Sequence, residues 1–358
     1  MKDKFAISVI IPFFNSEKEI LNCINSLKKQ NIKDQIELIF IDDDSSDNSI
    51  EIIKNSKLNN FRIIKLNKNS GPSVARNNGL KSSSGKYVFF LDADDSITAS
   101  TLKNLYLSAE EGSYDMVFCD KQRVSGTQNF RDNIFAFNTN RNFDYQDISH
   151  EIIKRITDPE YTVGVAGCHG KLIKRSIINN YNIFFEEKLR FLEDEIFIID
   201  VLGRSTKIKY IREQMYVYNI NPDIPTGRSN AFNYRFPVSN FKLMKDHVAN
   251  SLRARNYSEF EIFRYGNQAM IYYLIYTLIS YSLCIFRGKI DYKIGVINRR
   301  KIISEIIKDP EIVSASKNYK RSKLESYWLP KAIRLKSISL IELACNWRTK
   351  NLLRKIKK

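Results

Sequence analysis

The stretch FAISVIIPFFNSEKEILNCINSLKKQNIKDQIELIFIDDD, Phe5 to Asp44, sets two apolar runs on either side of a segment with apolar residues at helical spacing. FAISVII and IELIFI are rich in Ile, Val and Phe without polar alternation, the pattern of strands buried on both faces. Between them Ile20, Cys23, Ile24 and Leu27 mark one helix face, and Ser16 with Glu19 has the spacing of a capping box. The same alternation runs on through FRIIKL, KYVFFL and YDMVFC, with a further helix start at GPSVARNNGL, where Pro72 suits the first helical position. Strands alternating with helices in this way imply βαβ units and a mostly parallel, doubly wound α/β sheet. Ligands of such sheets bind beyond the carboxyl ends of the strands. That rule selects PFFN after the first strand, DDDSSD after the second and DADD after the fourth.

Beyond residue 125 the pattern turns irregular, and SGTQNFRDN and FNTNRNFDYQD read as loops. Helix-like and strand-like pieces resume at HEIIKRI, KLIKRSIINN, LEDEIFIIDVLG and KIKYIREQMYVYNI. From about Tyr234 onward the chain reads as helical, rich in tyrosine and lysine, so a boundary is expected near residue 232.

The chain has 358 residues, 43% of them hydrophobic, enough for one large or two modest well-buried domains. Cys23, Cys119, Cys168, Cys284 and Cys345 are scattered singly and odd in number, which excludes a complete disulfide framework and fits a reducing compartment. The N-terminus carries Asp3 early and lacks a small-residue cleavage site, so a cytoplasmic protein is expected. Ala269–Phe286 is long and apolar, but its tyrosines, serines and threonine favour a core or interfacial helix over a membrane span. The net charge of +17 draws the molecule to polyanions. The basic excess is greatest at the end, RTKNLLRKIKK, away from the acidic clusters.

Three acidic clusters could carry chemistry. Asp42, Asp43 and Asp44 close a strand, with Ser45, Ser46 and Asp47 placed to cap the next helix. Three adjacent acids repel one another more than capping requires, and a carboxylate at a sheet end can accept a nucleobase N–H. Asp92 and Asp94 lie in a turn where a hard divalent cation could be held by one or two carboxylates, sharing its other positions with water and phosphate oxygens. Asp95 or Ser96 would then cap a helix. Glu193, Asp194 and Glu195 precede an apolar helix, where a carboxylate could serve as general base toward an acceptor hydroxyl. Arg76, in the first turn of its helix, could orient neighbouring carboxylates.

Taken together, SVIIPFFNSEKEILNCINSLKKQ, ELIFIDDDSSDNS, NSGPSVARNNGL, GKYVFFLDADDSI and FLEDEIF stand in the order and approximate spacing of bacterial family 2 glycosyltransferases. The chain resembles that family over roughly residues 5–230. The resemblance implies a GT-A fold: an α/β, doubly wound mixed sheet with a Rossmann-like nucleotide-binding half, here followed by a helical C-terminal region. The implied organisation is a catalytic domain over 1–232, with a nucleotide-sugar half (1–120) and an acceptor half (121–232), then a basic helical region over 233–358. The implied activity is inverting transfer from a UDP-sugar, with Mn2+ or Mg2+, to a hydroxyl of a glycan or glycolipid acceptor in cell-surface polysaccharide, lipooligosaccharide or capsule synthesis.

By the same resemblance Pro12 lies along the nucleoside, Asp43 binds uracil and Arg76 lies near base and phosphates. Asp92 lies near ribose and sugar, and Asp94 ligates the metal. Asp194 matches the catalytic base and Glu193 shapes the acceptor site. Arg228, in PTGRS (Pro225–Ser229), matches a contact to the donor diphosphate. Two positions depart from the family: Asp44 stands where glycine is usual and must take its positive φ, and GCHGKLI lacks a tryptophan before KL. Cys168 and His169 are then candidates for lining the acceptor site.

Two other classes compete. A nucleic-acid-binding protein would explain the charge, but acidic clusters at strand ends repel phosphate backbones, so no nucleic-acid partner is expected. A membrane-binding scaffold without catalysis would use WLPKAIRLKSISLIELACNWRTKNLLRKIKK on anionic lipid. Peripheral attachment to the inner face of the cell membrane is expected as an addition to catalysis.

Overall fold

The structure is a computed structural model and describes residues 4–32, 35–125, 128–132, 139–157, 167–219, 236–320 and 328–356. The first strands are β1 (Phe5–Phe13), β2 (Ile36–Asp42), β3 (Phe61–Lys65) and β4 (Gly85–Phe90). Backbone pairing orders them β3-β2-β1-β4, all parallel. Helices α1 (Ile20–Lys28), α2 (Ser49–Lys54) and α3 (Pro72–Ser82) make the crossovers, with Pro72 in the first helical turn. β5 (Ser96–Ile97) and α4 (Thr101–Gly112) lead to β6 (Met116–Ser125). β7 (Gln128–Asp132), β8 (Arg141–Phe143), α5 (Tyr145–Thr157), β9 (Lys171–Lys174), α6 (Arg175–Asn180), α7 (Glu193–Arg204) and β10 (Ile208–Asn219) follow. The sheet continues β4-β9-β6-β10-β5, with β9 antiparallel to both neighbours, so it is mixed.

Four local expectations are corrected. β3 is an edge strand with exposed Arg62 and Lys65, not one buried on both faces. Residues 128–132 and 141–143 are strands rather than loops; both are short pieces on β6 and β10, recruited by backbone pairing that polar side chains do not announce. Ser16 and Glu19 form no capping box, because the loop after β1 bonds to the loop after β2: Ser16 N donates to Ser49 Oγ (2.8 Å), Glu17 N to Asp47 Oδ2 (2.9 Å) and Ser46 N to Asn15 Oδ1 (2.9 Å). Ser45 and Ser46 do not cap α2 either; Asp47 Oδ1 accepts from Ser49 N (3.1 Å) and Ser49 Oγ (2.6 Å).

The tightest approach in the sheet is at Gly85. A Cβ there would lie 2.5 Å from Ser8 N and 2.7 Å from the Ile7 carbonyl carbon. Gly85 N also donates to Ser8 Oγ, which donates to the buried Glu37 Oε1 at 2.6 Å. Backbone atoms cannot swing aside as a side-chain end can. Gly85→Ala is therefore expected to destabilise by about 1–3 kcal/mol, seen as a lower midpoint in chemical denaturation.

By contact the chain divides into two compact units, one of Met1–His150 with Thr162–Pro222 and one of Glu151–Tyr161 with Asp223–Lys358. The second contains α8 (Ser239–Ala254), α9 (Glu259–Phe286), α10 (Tyr292–Lys308), α11 (Pro310–Lys317), α12 (Trp328–Arg334) and α13 (Ile338–Ile356). A capping box opens α9: Glu261 N donates to Ser258 Oγ and Ser258 N to Glu261 Oε2. Helix α9 is long and apolar enough to cross a membrane, yet 78% of its most apolar window is buried, against α8, α10, α11 and α13 among others.

Candidate functional site

The carboxyl ends of β1, β2 and β4 gather the acidic clusters. Phe13 pairs with Asp42, and Asp43 N donates to Phe13 O (2.9 Å), so Pro12 and Asp43 are neighbours. Asp42 Oδ1 accepts from Ser45 N (2.9 Å), closing a turn in which Asp44 takes φ 69°, as its glycine-like position requires. Asp43 is buried, and its two oxygens accept from Ser70 N and Gly71 N, each at 2.7 Å. Burial raises its carboxyl above the usual range, against the pull of these N–H groups and of Arg190. Gly71 has φ 90°, a conformation that glycine takes without strain, and the Arg190 guanidinium lies against it.

Arg76 is the centre of the next group. Its buried guanidinium donates to Asp92 Oδ1 (3.0 Å) and Glu193 Oε1 (3.4 Å) and lies 5.3 Å from the centre of the Phe185 ring. Asp92 Oδ2 pairs with His169 Nε2 at 2.7 Å. Burial opposes the Asp92 charge, but His169 and Arg76 overcome it and hold the carboxyl well below the usual range. Glu193 is pushed up to about 7, first by burial and then by the charge of Asp194.

Asp95 is not a helix cap. It is buried on the other side of the turn, where Oδ2 accepts from Tyr216 Oη (2.6 Å) and Oδ1 from Asn219 N (3.0 Å). Asn219 also donates from Nδ2 to Asp94 O (2.8 Å), so β10 fixes the turn that carries Asp94. Asp94 itself is exposed, and no other residue hydrogen-bonds its carboxylate among the described residues. Although the residue reaches solvent, partial desolvation in the packed turn and then repulsion from Asp92 push its carboxyl up to about 6. Oxygens of Asp92, Asp94 and Asp95 lie within 4.8 Å of one another. Since the other two carboxylates are engaged, the hard, open donor is Asp94, which suits a cation that keeps water and phosphate in its remaining positions.

Asp194 enters from α7. Leu192 precedes it with φ 67°, an uncommon conformation for a bulky residue, and turns the chain so that Glu193, Asp194 and Glu195 form the first helical turn. Asp194 Oδ1 accepts from Glu195 N (2.8 Å). A Cβ on Gly167 would stand 2.9 Å from Asp194 Oδ2, 3.3 Å from His169 Nδ1 and 3.7 Å from Lys121 Nζ, so the three groups surround that glycine.

Of the expected residues, Arg76, Asp92 and Glu193 are bonded together, with Asp94 in the same turn as Asp92 and Asp194 beside Glu193. Pro12 and Asp43 lie at neighbouring strand ends, and Arg228 lies outside the described residues. Cys168 is buried, and that burial pushes its thiol up to about 12, while the neighbouring His169 faces Asp92. Sequence reasoning missed Tyr216, Arg190 and the fully buried Lys171, whose amine is lowered to about 7 by burial and then by Lys121. The only cue was their position beside recognised motifs, Arg190 in LRFLED and Lys171 in HGKLI.

Residues 8–181 match the family model for glycosyl transferase family 2. An uncharacterized glycosyltransferase of Bacillus subtilis, EpsJ, is 29% identical over 61% of this chain and 62% of its own length. TarP of Staphylococcus aureus, a poly(ribitol-phosphate) beta-N-acetylglucosaminyltransferase, is 34% identical over 60% of this chain and 63% of its own. The chain thus spans less than two thirds of these curated relatives. A crystal structure of residues 1–349 of S. aureus TarS, in complex with UDP-GlcNAc, superposes on 96% of this chain and 92% of its own with a TM-score of 0.70 at 20% identity, which establishes the GT-A fold.

Proposed function

Because residues 8–181 belong to glycosyl transferase family 2, we propose that the chain is an inverting glycosyltransferase that moves a hexose or N-acetylhexosamine from a UDP-sugar to an acceptor hydroxyl. The observation that carries this is the Arg76 bridge, which ties Asp92 at the donor end of the sheet to Glu193 beside the candidate base. Asp43, held by two backbone N–H groups, keeps lone pairs for the imide N–H of uracil, with Pro12 along the nucleoside. Arg76 and His169 keep Asp92 ionised and oriented toward ribose and sugar hydroxyls. Asp194 takes the proton of the acceptor hydroxyl as its oxygen attacks the anomeric carbon from the face opposite UDP, through an oxocarbenium-like transition state with no covalent enzyme intermediate.

Asp94 would hold Mn2+ or Mg2+, which when bound neutralises the charge of the departing diphosphate. Arg228 is the proposed protein contact to the same diphosphate. Relatives named for poly(ribitol-phosphate) support a polyanionic cell-surface glycopolymer or glycolipid as acceptor, and the net charge of +17 suits one. A cytoplasmic enzyme of this kind meets its acceptor at the inner face of the cell membrane, so peripheral attachment through the basic C-terminal region belongs to the same reading.

The test is UDP release from a panel of UDP-sugars with Mn2+, Mg2+ or EDTA. One donor is expected to turn over, metal-dependently. Asp94→Ala is expected to weaken Mn2+ dependence by more than the ~10–100-fold that loss of a merely supporting group causes. Turnover that survives both EDTA and this substitution would show that Asp94 holds no catalytic ion.

A further inference from the structure

Helices α10 and α13 lie side by side, joined by Arg300 Nε to Glu342 Oε2 and by Arg299 Nη1 to Asn346 Oδ1, each at 3.0 Å. Both leave large apolar side chains in solvent. On α13 Leu340, Leu343 and Trp347 recur at intervals of three and four, one face of a helix, and exposed Lys350 and Arg354 continue that face. On α10 Ile294 and Ile297 are followed on the same face by exposed Lys301 and Lys308. The five apolar side chains are between 43% and 66% exposed. Scattered exposed apolar residues need no explanation, but grouped ones edged with charge mark an interaction surface. The acidic residues of these two helices do not cancel the cations: Glu342 is taken by Arg299 and Arg300, and Glu305 is half-buried and already partnered.

We propose that the face built by α10 and α13 docks on an anionic lipid bilayer. This deepens the peripheral attachment argued above and rests on that reading; it assigns the contact to a two-helix face instead of the basic tail alone. Trp347 and the aliphatic residues enter the headgroup boundary, where an amphipathic ring and branched side chains are favoured, while Lys301, Lys308, Lys350 and Arg354 meet lipid phosphates. Charge decides for lipid over a second copy of the chain. A two-fold pairing of this face would set like cations against one another, whereas phosphates neutralise them.

The experiment is co-sedimentation of the full chain with vesicles of equal phosphatidylglycerol and phosphatidylcholine, and with phosphatidylcholine alone. UDP release and light-scattering mass are measured on the same preparations. Wild type is expected to bind the anionic vesicles selectively and to be released by salt. At about fivefold per cation, Lys350→Ala with Arg354→Ala is expected to lower partitioning about 25-fold, and Trp347→Ala to weaken it at unchanged UDP release. Equal binding of wild type and variants would overturn the proposal. So would a wild-type oligomer that dissociates in Trp347→Ala without binding vesicles, which would assign the face to a second copy. Selective vesicle binding without turnover of any UDP-sugar would instead sink the catalytic reading and leave the docking surface standing.

Discussion

Asp194→Asn is expected to lower kcat for sugar transfer by about 10²–10⁴-fold, the range of a positioned general base, with UDP affinity changed little. Asparagine keeps the shape of the side chain and an oxygen able to accept from Glu195 N, the bond that Asp194 Oδ1 makes in the first turn of α7. What it loses is the ability to take a proton. Single-turnover transfer with saturating donor, alongside a UDP titration, separates the two effects. If transfer stays within tenfold of wild type, the base lies elsewhere, and Glu193, the neighbouring carboxylate pushed up to about 7, becomes the residue to test.

Arg76→Leu is expected to cost about 3–5 kcal/mol of stability, as removal of one partner from a buried ion pair does. Leucine fills part of the volume but leaves Asp92 and Glu193 without the guanidinium. His169 still faces Asp92, so the larger change falls on Glu193. Its folded value of about 7 lies above the ordinary glutamate value of 4.5, so its proton is bound more tightly in the folded chain. The stability it contributes is complete below about pH 4.5 and is lost as pH rises through about 7. Removing Arg76 deepens that loss, and the variant should compare worse with wild type at pH 8 than at pH 6. Denaturation midpoints at the two pH values measure this; equal midpoints for variant and wild type would show that the bridge adds nothing to stability.

The parallel half of the sheet was legible because β1, β2 and β4 are near-continuous apolar runs separated by helical segments, while their order and the exposed edge at β3 came only with the structure. The placement of carboxylates at strand ends was legible for the same reason: Asp43, Asp92 and Asp94 stand just after such runs. What escaped were features set by distant partners. Asp95 reads as a cap until Tyr216 and Asn219, more than a hundred residues on, are brought to it. Ser16 and Glu19 have a capping-box spacing, but Ser16 N is taken by Ser49 Oγ, while Ser258 and Glu261, with the same spacing, form the box. The polar strands β7 and β8 exist through backbone pairing, which periodicity does not record. The Arg76 bridge to Glu193 spans two motifs that sequence reading could only set side by side.

Leu192 shows what such a site asks of the chain that carries it. A buried leucine at φ 67° costs of order 1–3 kcal/mol that glycine would avoid, yet glycine would also remove the side chain that pins the turn into the core. With Asp194 in its proposed role as base, the turn ahead of it is a place where stability is given up for activity. Selection for robustness alone would relax it, and selection for turnover would hold it strained.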